Sequence, residues 1–223
     1  MSGIVGSKLN IRGSGRIAKL GTDGQVLTSS GAGVSAVYED AAGGGGIVLI
    51  NKTVLSSTPA TVDFDQLMTT SYDTYKIIMS GIASADSGEN IRMLFQTTDE
   101  SAGAYNTGST YSFETARSYD YNAHNATDQA FGKIGRNGFG DDDADRYASA
   151  EITILNASST VSYKMWHYRG FCTQHDDTNS GEIGAGIFKN NARLTGVRFL
   201  YDGGNFASTV AGSSIALYGI VNS

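Results

Sequence analysis

Tyrosine and amide side chains concentrate within residues 98–145, the longest part of the sequence that is predicted to be mostly loop. Tyr105, Tyr119 and Tyr121 lie there together with His124 and several asparagines. Aromatic rings stack on the apolar faces of sugars and amides hydrogen-bond to hydroxyl groups, so this combination is typical of a recognition surface. One interpretation is that these four residues face a glycan or a receptor. The alternative is that the tyrosines cover a sheet edge or a subunit interface, because aromatic side chains are usually buried.

Acidic residues form a second cluster, Asp141-Asp142-Asp143-Ala144-Asp145. Carboxylates at alternate positions could converge on calcium, but the spacing does not match an EF-hand. The preceding Gly138-x-Gly140 unit occurs once, whereas calcium-binding β-rolls depend on stacked repeats. A solvated acidic loop is the default interpretation. We therefore predict no metal site and no cofactor.

No catalytic motif accompanies these clusters. The sequence contains no nucleophile elbow, phosphate loop, dinucleotide fingerprint or zinc-protease helix. Cys172 is the single cysteine and is interpreted as a small buried hydrophobic residue. His167 alternates with Met165 and Arg169 on one face of a predicted strand, and we expect this strand to contact another subunit. An enzyme, such as a small glycan hydrolase, is therefore disfavoured.

Composition narrows the class of protein. The chain has 223 residues, 17% of them charged, and a formal net charge of -6. Most of the negative charge follows residue 46, so a nucleic-acid partner is not expected, because such binding depends on positive charge. No apolar run approaches the roughly 20 residues of a membrane span, and no signal peptide is predicted. The composition favours a β-rich extracellular protein or a protein on the surface of a particle over a helical cytosolic enzyme.

Apolar residues alternate with polar ones in short runs after residue 46, which is typical of β-strands. These runs predict an all-β chain, with an antiparallel two-sheet β-sandwich of jelly-roll type over residues 47–223. We expect a glycine hinge at 43–46 and an extended, glycine-rich assembly segment at 1–42. The predicted strands are 47–55, 60–64, 72–82, 90–97, 110–118, 146–156, 161–172, 182–189, 193–202 and 214–222.

The segment 1–42 contains isolated apolar residues between glycine and polar residues. No face is wide enough to form a core within one copy, and glycine increases the entropy that is lost on ordering. We therefore expect this segment to become ordered by contact with other copies or with a larger particle, although composition alone also fits a disordered tail. The residues predicted to make these anchoring and subunit contacts are Ile4, Val5, Leu9, Ile11, Arg12, Ile17, Leu20, Val26 and Leu27.

A family resemblance supports this expectation. The runs GSKLNIRGSG at 6–15 and LGTDGQVLTSSGAGVSAVYED at 20–40 resemble the N-terminal segment of marine bacteriophage tail-fibre and fibre-like virion proteins. The most specific part is GTDGQVLTS, from Gly21 to Ser29. The resemblance implies a virion location, a homotrimer and attachment to other virion proteins through the N-terminus.

Two structural roles remain open at this point. One is a short tail fibre or spike that contacts the host surface, and the other is a capsid-decorating head fibre or cement protein. An anchor to the tail and an anchor to the capsid require the same kind of peptide. The sequence therefore predicts a virion structural protein, for which we take the tail fibre as the first interpretation and the capsid-decorating protein as the alternative.

Overall fold

The computed structural model describes residues 25–28, 37–40, 46–118, 123–135, 138–140, 146–173, 179–207 and 212–221. Contacts within the chain divide it into an N-terminal unit that ends at Gly45 and a larger unit, Gly46–Asn222. In the first unit, β1 (Gln25–Thr28) pairs antiparallel with β2 (Val37–Asp40). Most of the predicted anchoring residues, from Ile4 to Leu20, lie outside the described residues. Their contacts, and those of Val26 and Leu27 in β1, remain a prediction.

The larger unit is built from strands. Among the described residues there is no helix, and hence no helical segment that could cross a membrane. The prediction of an all-β chain is confirmed. The strands are β3 (Ile47–Val54), β4 (Thr61–Phe64), β5 (Thr74–Ile82), β6 (Ile91–Thr97), β7 (Tyr111–Arg117), β8 (Ala123–Gln129), β9 (Gly132–Ile134), β10 (Ala148–Leu155), β11 (Lys164–Thr173), β12 (Asn179–Phe188), β13 (Leu194–Tyr201) and β14 (Ser214–Ile220).

The strands form two antiparallel sheets. One has eight strands in the order β3-β14-β5-β10-β11-β12-β7-β8, and the other has four in the order β4-β13-β6-β9. The pairs β3–β14, β4–β13, β5–β10 and β6–β9 are nested. Among these eight strands, the first in sequence pairs with the eighth, the second with the seventh, the third with the sixth and the fourth with the fifth. This nesting is the topology of a jelly roll. The predicted jelly-roll-like sandwich is therefore confirmed.

Two hairpins extend this eight-stranded jelly roll. The β7–β8 hairpin is inserted between β6 and β9, and the β11–β12 hairpin is inserted between β10 and β13. Strand β12 pairs with β7, so that both hairpins join the same sheet beyond β10. The larger sheet is thus half jelly-roll core and half insertion.

The region 98–145 contains two strands that the sequence interpretation did not predict. Besides the expected strand β7, it contains β8 and β9. Strand β8 reads AHNATDQ, and this polar segment has no apolar alternation to identify it. It lies at the sheet edge, where polar side chains are common because they discourage further strand pairing. Strand β9 has three residues, too few for a periodic pattern.

The core lies between the two sheets and is rich in aromatic rings. Phe95 of β6 contacts three rings of the larger sheet, with centroid distances of 5.8 Å to Trp166, 6.0 Å to Tyr111 and 5.3 Å to Phe188. All four side chains are almost fully buried. Because each aromatic side chain buries a large apolar area, this cluster contributes strongly to joining the sheets.

Candidate interaction surface

The outer face of the four-stranded sheet is covered by its own ion pairs. Arg198 donates two hydrogen bonds to Asp63, and its guanidinium carbon lies 4.2 Å from the centre of the Tyr105 ring. Arg92 pairs with Asp202 and lies 4.3 Å above the ring of Phe131. These arginines satisfy the hydrogen-bonding groups of the two carboxylates and cover the two aromatic rings.

The outer face of the eight-stranded sheet differs, because it exposes apolar side chains. On β11 and β12, the side chains of Met165, Phe171, Ile183 and Ile187 point outward and are 40–62% exposed. Their neighbours in sequence alternate inward, as Trp166 does. The strand register places Met165 directly opposite Ile187. A contiguous exposed apolar surface of this kind marks an interaction site.

Charged residues cross the same face. The Glu151 carboxylate accepts hydrogen bonds from Lys76 at 2.6 Å and from Arg169 at 3.3 Å. The hydrogen bond from Lys76 is the main reason that the pKa of Glu151 is lowered below its usual value. Glu114 of β7 is also exposed, and within the described residues it forms no ion pair.

A groove runs over the inserted strands of this face and has a volume of about 690 Å³. Leu155, Met165 and Ile187 provide an apolar lining, and Glu114 and His167 provide polar groups. These five residues define what we call the β11–β12 groove. Its size is that of a site for a small molecule or for a few side chains of a partner.

A second exposed apolar surface lies on β3, the strand at one edge of the sheet. Ile47, Leu49 and Val54 are 57%, 52% and 55% exposed, and together they define the β3 patch. Lys52 is the only charged residue of this strand, and it makes no ion pair in the part of the chain that the structure describes. An exposed apolar edge strand is prone to associate with another chain.

The β3 patch is on the same side of the sheet as the groove. Lys52 is paired with Ala216, which is paired with Ile78 on the outer face. Residues directly opposite each other in a sheet share a face. Ile50 of β3 has no partner in the register, and this irregularity places Leu49 opposite Tyr218, on this face as well.

The predicted glycan-facing residues are not brought together by the described structure. Tyr105 is 8% exposed beneath Arg198, against the smaller sheet, and burial raises the pKa of its hydroxyl. His124 is exposed on edge strand β8 of the larger sheet, where its ring stacks on Phe113 at a centroid distance of 6.3 Å. Tyr119 and Tyr121 lie outside the described residues, so the glycan-facing role of the four remains a prediction.

The other candidate residues are placed as follows. Cys172 is fully buried, as expected, and burial raises its thiol pKa to about 12, with Glu182 adding to the effect. Residues 141–145 lie outside the described part of the chain. Elsewhere, in the ranges that the structure does cover, no three His, Cys, Asp or Glu side chains are grouped to hold a metal ion.

Sequence reasoning missed the outward isoleucines of β12. The strand reads NSGEIGAGIF, and its inward positions include Gly184 and Gly186 while Ile183 and Ile187 point out. The inward glycines are required, because a Cβ atom at Gly186 would lie 2.1 Å from the Trp166 ring. The signal was the alternation of glycine with isoleucine, which reverses the usual relation between apolar residues and the core.

A scan against protein-family models finds no match to this chain, and a search of curated proteins finds none either. Function is therefore inferred from the N-terminal segment and from the chemistry of the two outer faces.

Proposed function

We propose that this chain is a structural protein of a bacteriophage virion, a short homotrimeric fibre or spike of the tail that contacts the host surface. The observation that carries the proposal is the resemblance of the Gly21–Ser29 segment to phage fibre proteins, found in a chain that continues into a jelly roll. Jelly rolls serve many functions, including those of viral surface proteins, so the fold supports this proposal without selecting it.

The two parts of the chain suit two tasks. The jelly roll has a closed core of its own, whereas the apolar side chains of residues 1–42 are dispersed between glycine and polar residues. We assign the first part to display and the second to attachment on the particle. At about 3.3–3.6 Å per residue, 42 residues reach at most roughly 140–150 Å, which is the length of a short appendage.

Three copies on one fibre would also strengthen weak binding to the host. Once one domain has bound, the others meet the surface at a high effective concentration, so avidity rises without any new contact. Host surface glycans are the ligand class that we propose for the loops.

The test is incorporation into particles. We expect the full-length protein to be found by mass spectrometry in gradient-purified virions and by labelled-antibody electron microscopy at the tail. A chain that lacks residues 1–42 should keep the β-sheet circular-dichroism spectrum of the domain and remain unincorporated. Absence of the full-length protein from virions would reject the proposal, and equal incorporation of the shortened chain would reject the anchor.

The same micrographs test the tail assignment. Label on the capsid lattice would move the protein to the head, the other location that the N-terminal resemblance permits. Incubation with host envelope polysaccharide tests the structural role, because the release of new reducing ends would show an enzyme instead.

A further inference from the structure

We propose that the β3 patch of one copy packs into the β11–β12 groove of a second copy, and that this contact joins the jelly rolls of the fibre. The inference deepens the proposed function and depends on it for the number of copies. The contact itself is argued from three properties of the two surfaces: their apolar side chains, their charges and their separation on the sheet.

The apolar side chains of the two surfaces match in kind. The β3 patch offers three aliphatic side chains, each more than half exposed, on a strand at the sheet edge. The groove offers Leu155, Met165 and Ile187 around a volume of about 690 Å³. Packing one against the other removes both apolar surfaces from water, which favours association.

The charges are complementary. Lys52 lies within the β3 patch and Glu114 lines the groove, and neither has an ion-pair partner within the described residues. The chain as a whole has a net charge of -6, so most orientations of two copies bring like charges together. A contact that places Lys52 against Glu114 brings opposite charges together and therefore avoids this repulsion.

The two surfaces cannot meet within one chain. Glu114 is on β7, six strands away from β3 in the sheet. With adjacent strands about 4.8 Å apart, Lys52 and Glu114 are separated by roughly 29 Å along the sheet. The contact therefore joins different surfaces of two copies, and such head-to-tail contacts close into rings when the rotation between copies allows it.

The inserted hairpins form most of the acceptor surface. Met165, His167 and Ile187 belong to the β11–β12 hairpin, and Glu114 belongs to β7 of the other hairpin. A jelly roll without the two insertions would end at β10 in this sheet and would have no such groove. The insertions thus provide a surface for self-association on a fold that is otherwise complete.

The direct test is a zero-length cross-link on the full-length protein. A carbodiimide activates a carboxylate, which then forms an amide bond with a lysine amine and releases the reagent as a urea. Equal amounts of ¹⁵N-labelled and unlabelled protein, refolded together, should yield a Lys52–Glu114 linked peptide pair with one labelled and one unlabelled member. Absence of this pair, or its presence with only same-label members, would overturn the proposal.

Variants test which side chains hold the contact. Ile187→Glu places a charge in the groove and should reduce the yield of the cross-link at least tenfold. Val161→Glu is the matched control, because Val161 is 82% exposed in a turn outside both surfaces, and its cross-link yield should equal the wild-type yield. Equal yields for both variants would contradict the proposal, provided that circular dichroism shows both to be folded.

Charge reversal provides a second measurement that does not depend on the cross-link. Lys52→Glu and Glu114→Lys should each weaken self-association about tenfold in sedimentation equilibrium, and the double variant should restore it. A double variant no better than either single variant would count against the pairing. If charge reversal shows no pairing but the protein is found in particles, the proposed contact is wrong and the virion proposal stands. If the contact is confirmed in a protein that is absent from particles, only the virion proposal is wrong.

Discussion

Gly186→Ala should destabilise the jelly roll measurably, although it adds only one methyl group. A Cβ atom at Gly186 would lie 2.1 Å from Cζ2 of Trp166 and 2.5 Å from two further ring atoms. The ring has little room to move, because it also lies close to Gly132 on the other sheet. A Cβ atom at Gly132 would be only 2.9 Å from Cζ2 of Trp166. The ring also packs against Phe95. The added methyl group must therefore strain the core.

The magnitude follows from two opposing effects. Overpacking a core costs about 1–3 kcal/mol, and a site closed from both sheets belongs at the upper end of that range. Replacing glycine by alanine also reduces the conformational entropy of the unfolded chain, which stabilises the fold by at most about 1 kcal/mol. We expect a net loss of about 2 kcal/mol in the free energy of unfolding.

Urea unfolding followed by tryptophan fluorescence measures this loss, because Trp166 is the only tryptophan in the chain. With a slope of about 2 kcal/mol per molar urea, the midpoint should fall by about 1 M. Gly181→Ala is the control on the same strand, since its nearest contact would be an ordinary 3.5 Å to Ser118. Equal midpoints for the two variants would refute the packing of Trp166 across Gly186.

Three further predictions concern buried or paired groups. Lys164→Met should lower the free energy of unfolding by about 1–3 kcal/mol in urea titrations, because the buried ammonium donates to the carbonyls of Ser159, Ser162 and Asn191 at 2.6, 2.9 and 3.0 Å; an unchanged midpoint would contradict this. Glu151→Gln should destabilise the protein at pH 7, and this wild-type advantage should shrink as the pH falls below the unfolded value of about 4.3. The reason is that the pKa of Glu151 is lower when folded, so its contribution is present above the unfolded value and is lost as the pH falls through the folded value. A wild-type advantage that does not decrease at all as the pH is lowered through the acid range would refute that assignment. Cys172, with its pKa raised to about 12, should have on the order of 1,000-fold less thiolate at pH 8 than an ordinary cysteine. Iodoacetamide should therefore label it only in denaturant, and rapid labelling of the native protein would contradict its burial.

Much of the fold could be predicted from the sequence because its strands alternate in a regular way. Strand β10 is an example: Ile152 and Ile154 point inward, whereas Glu151 and Thr153 point outward. Such a pattern fixes which face is buried, and hence that the strand belongs to a two-sided sandwich. It also indicates the approximate ends of the strand.

Strand order could not be predicted in the same way, because the alternation within a strand does not identify its neighbours. The pairing of the first domain strand with the last brings Thr53 opposite Ile215, which are more than 160 positions apart in the sequence. Strand β8 was missed for a different reason, since its residues, such as His124 and Asn125, are stabilised by pairing with β7 and not by burial. Tertiary context overrides local preference at both places.

The candidate surface was only partly foreseen. The pattern around His167 predicted a strand face that contacts another subunit, and the structure places Met165 and His167 in an exposed groove. The β3 patch was not foreseen, because an apolar run such as Ile47-Val48-Leu49-Ile50 is expected in a buried strand. Its exposure depends on its position at the sheet edge.

The most direct test of self-assembly is the mass of the purified full-length protein in solution, measured by sedimentation equilibrium at micromolar concentration. The proposed fibre predicts a species of three chains, each of 23.4 kDa. A single species at 23.4 kDa would contradict both the homotrimer and the contact between the β3 patch and the β11–β12 groove.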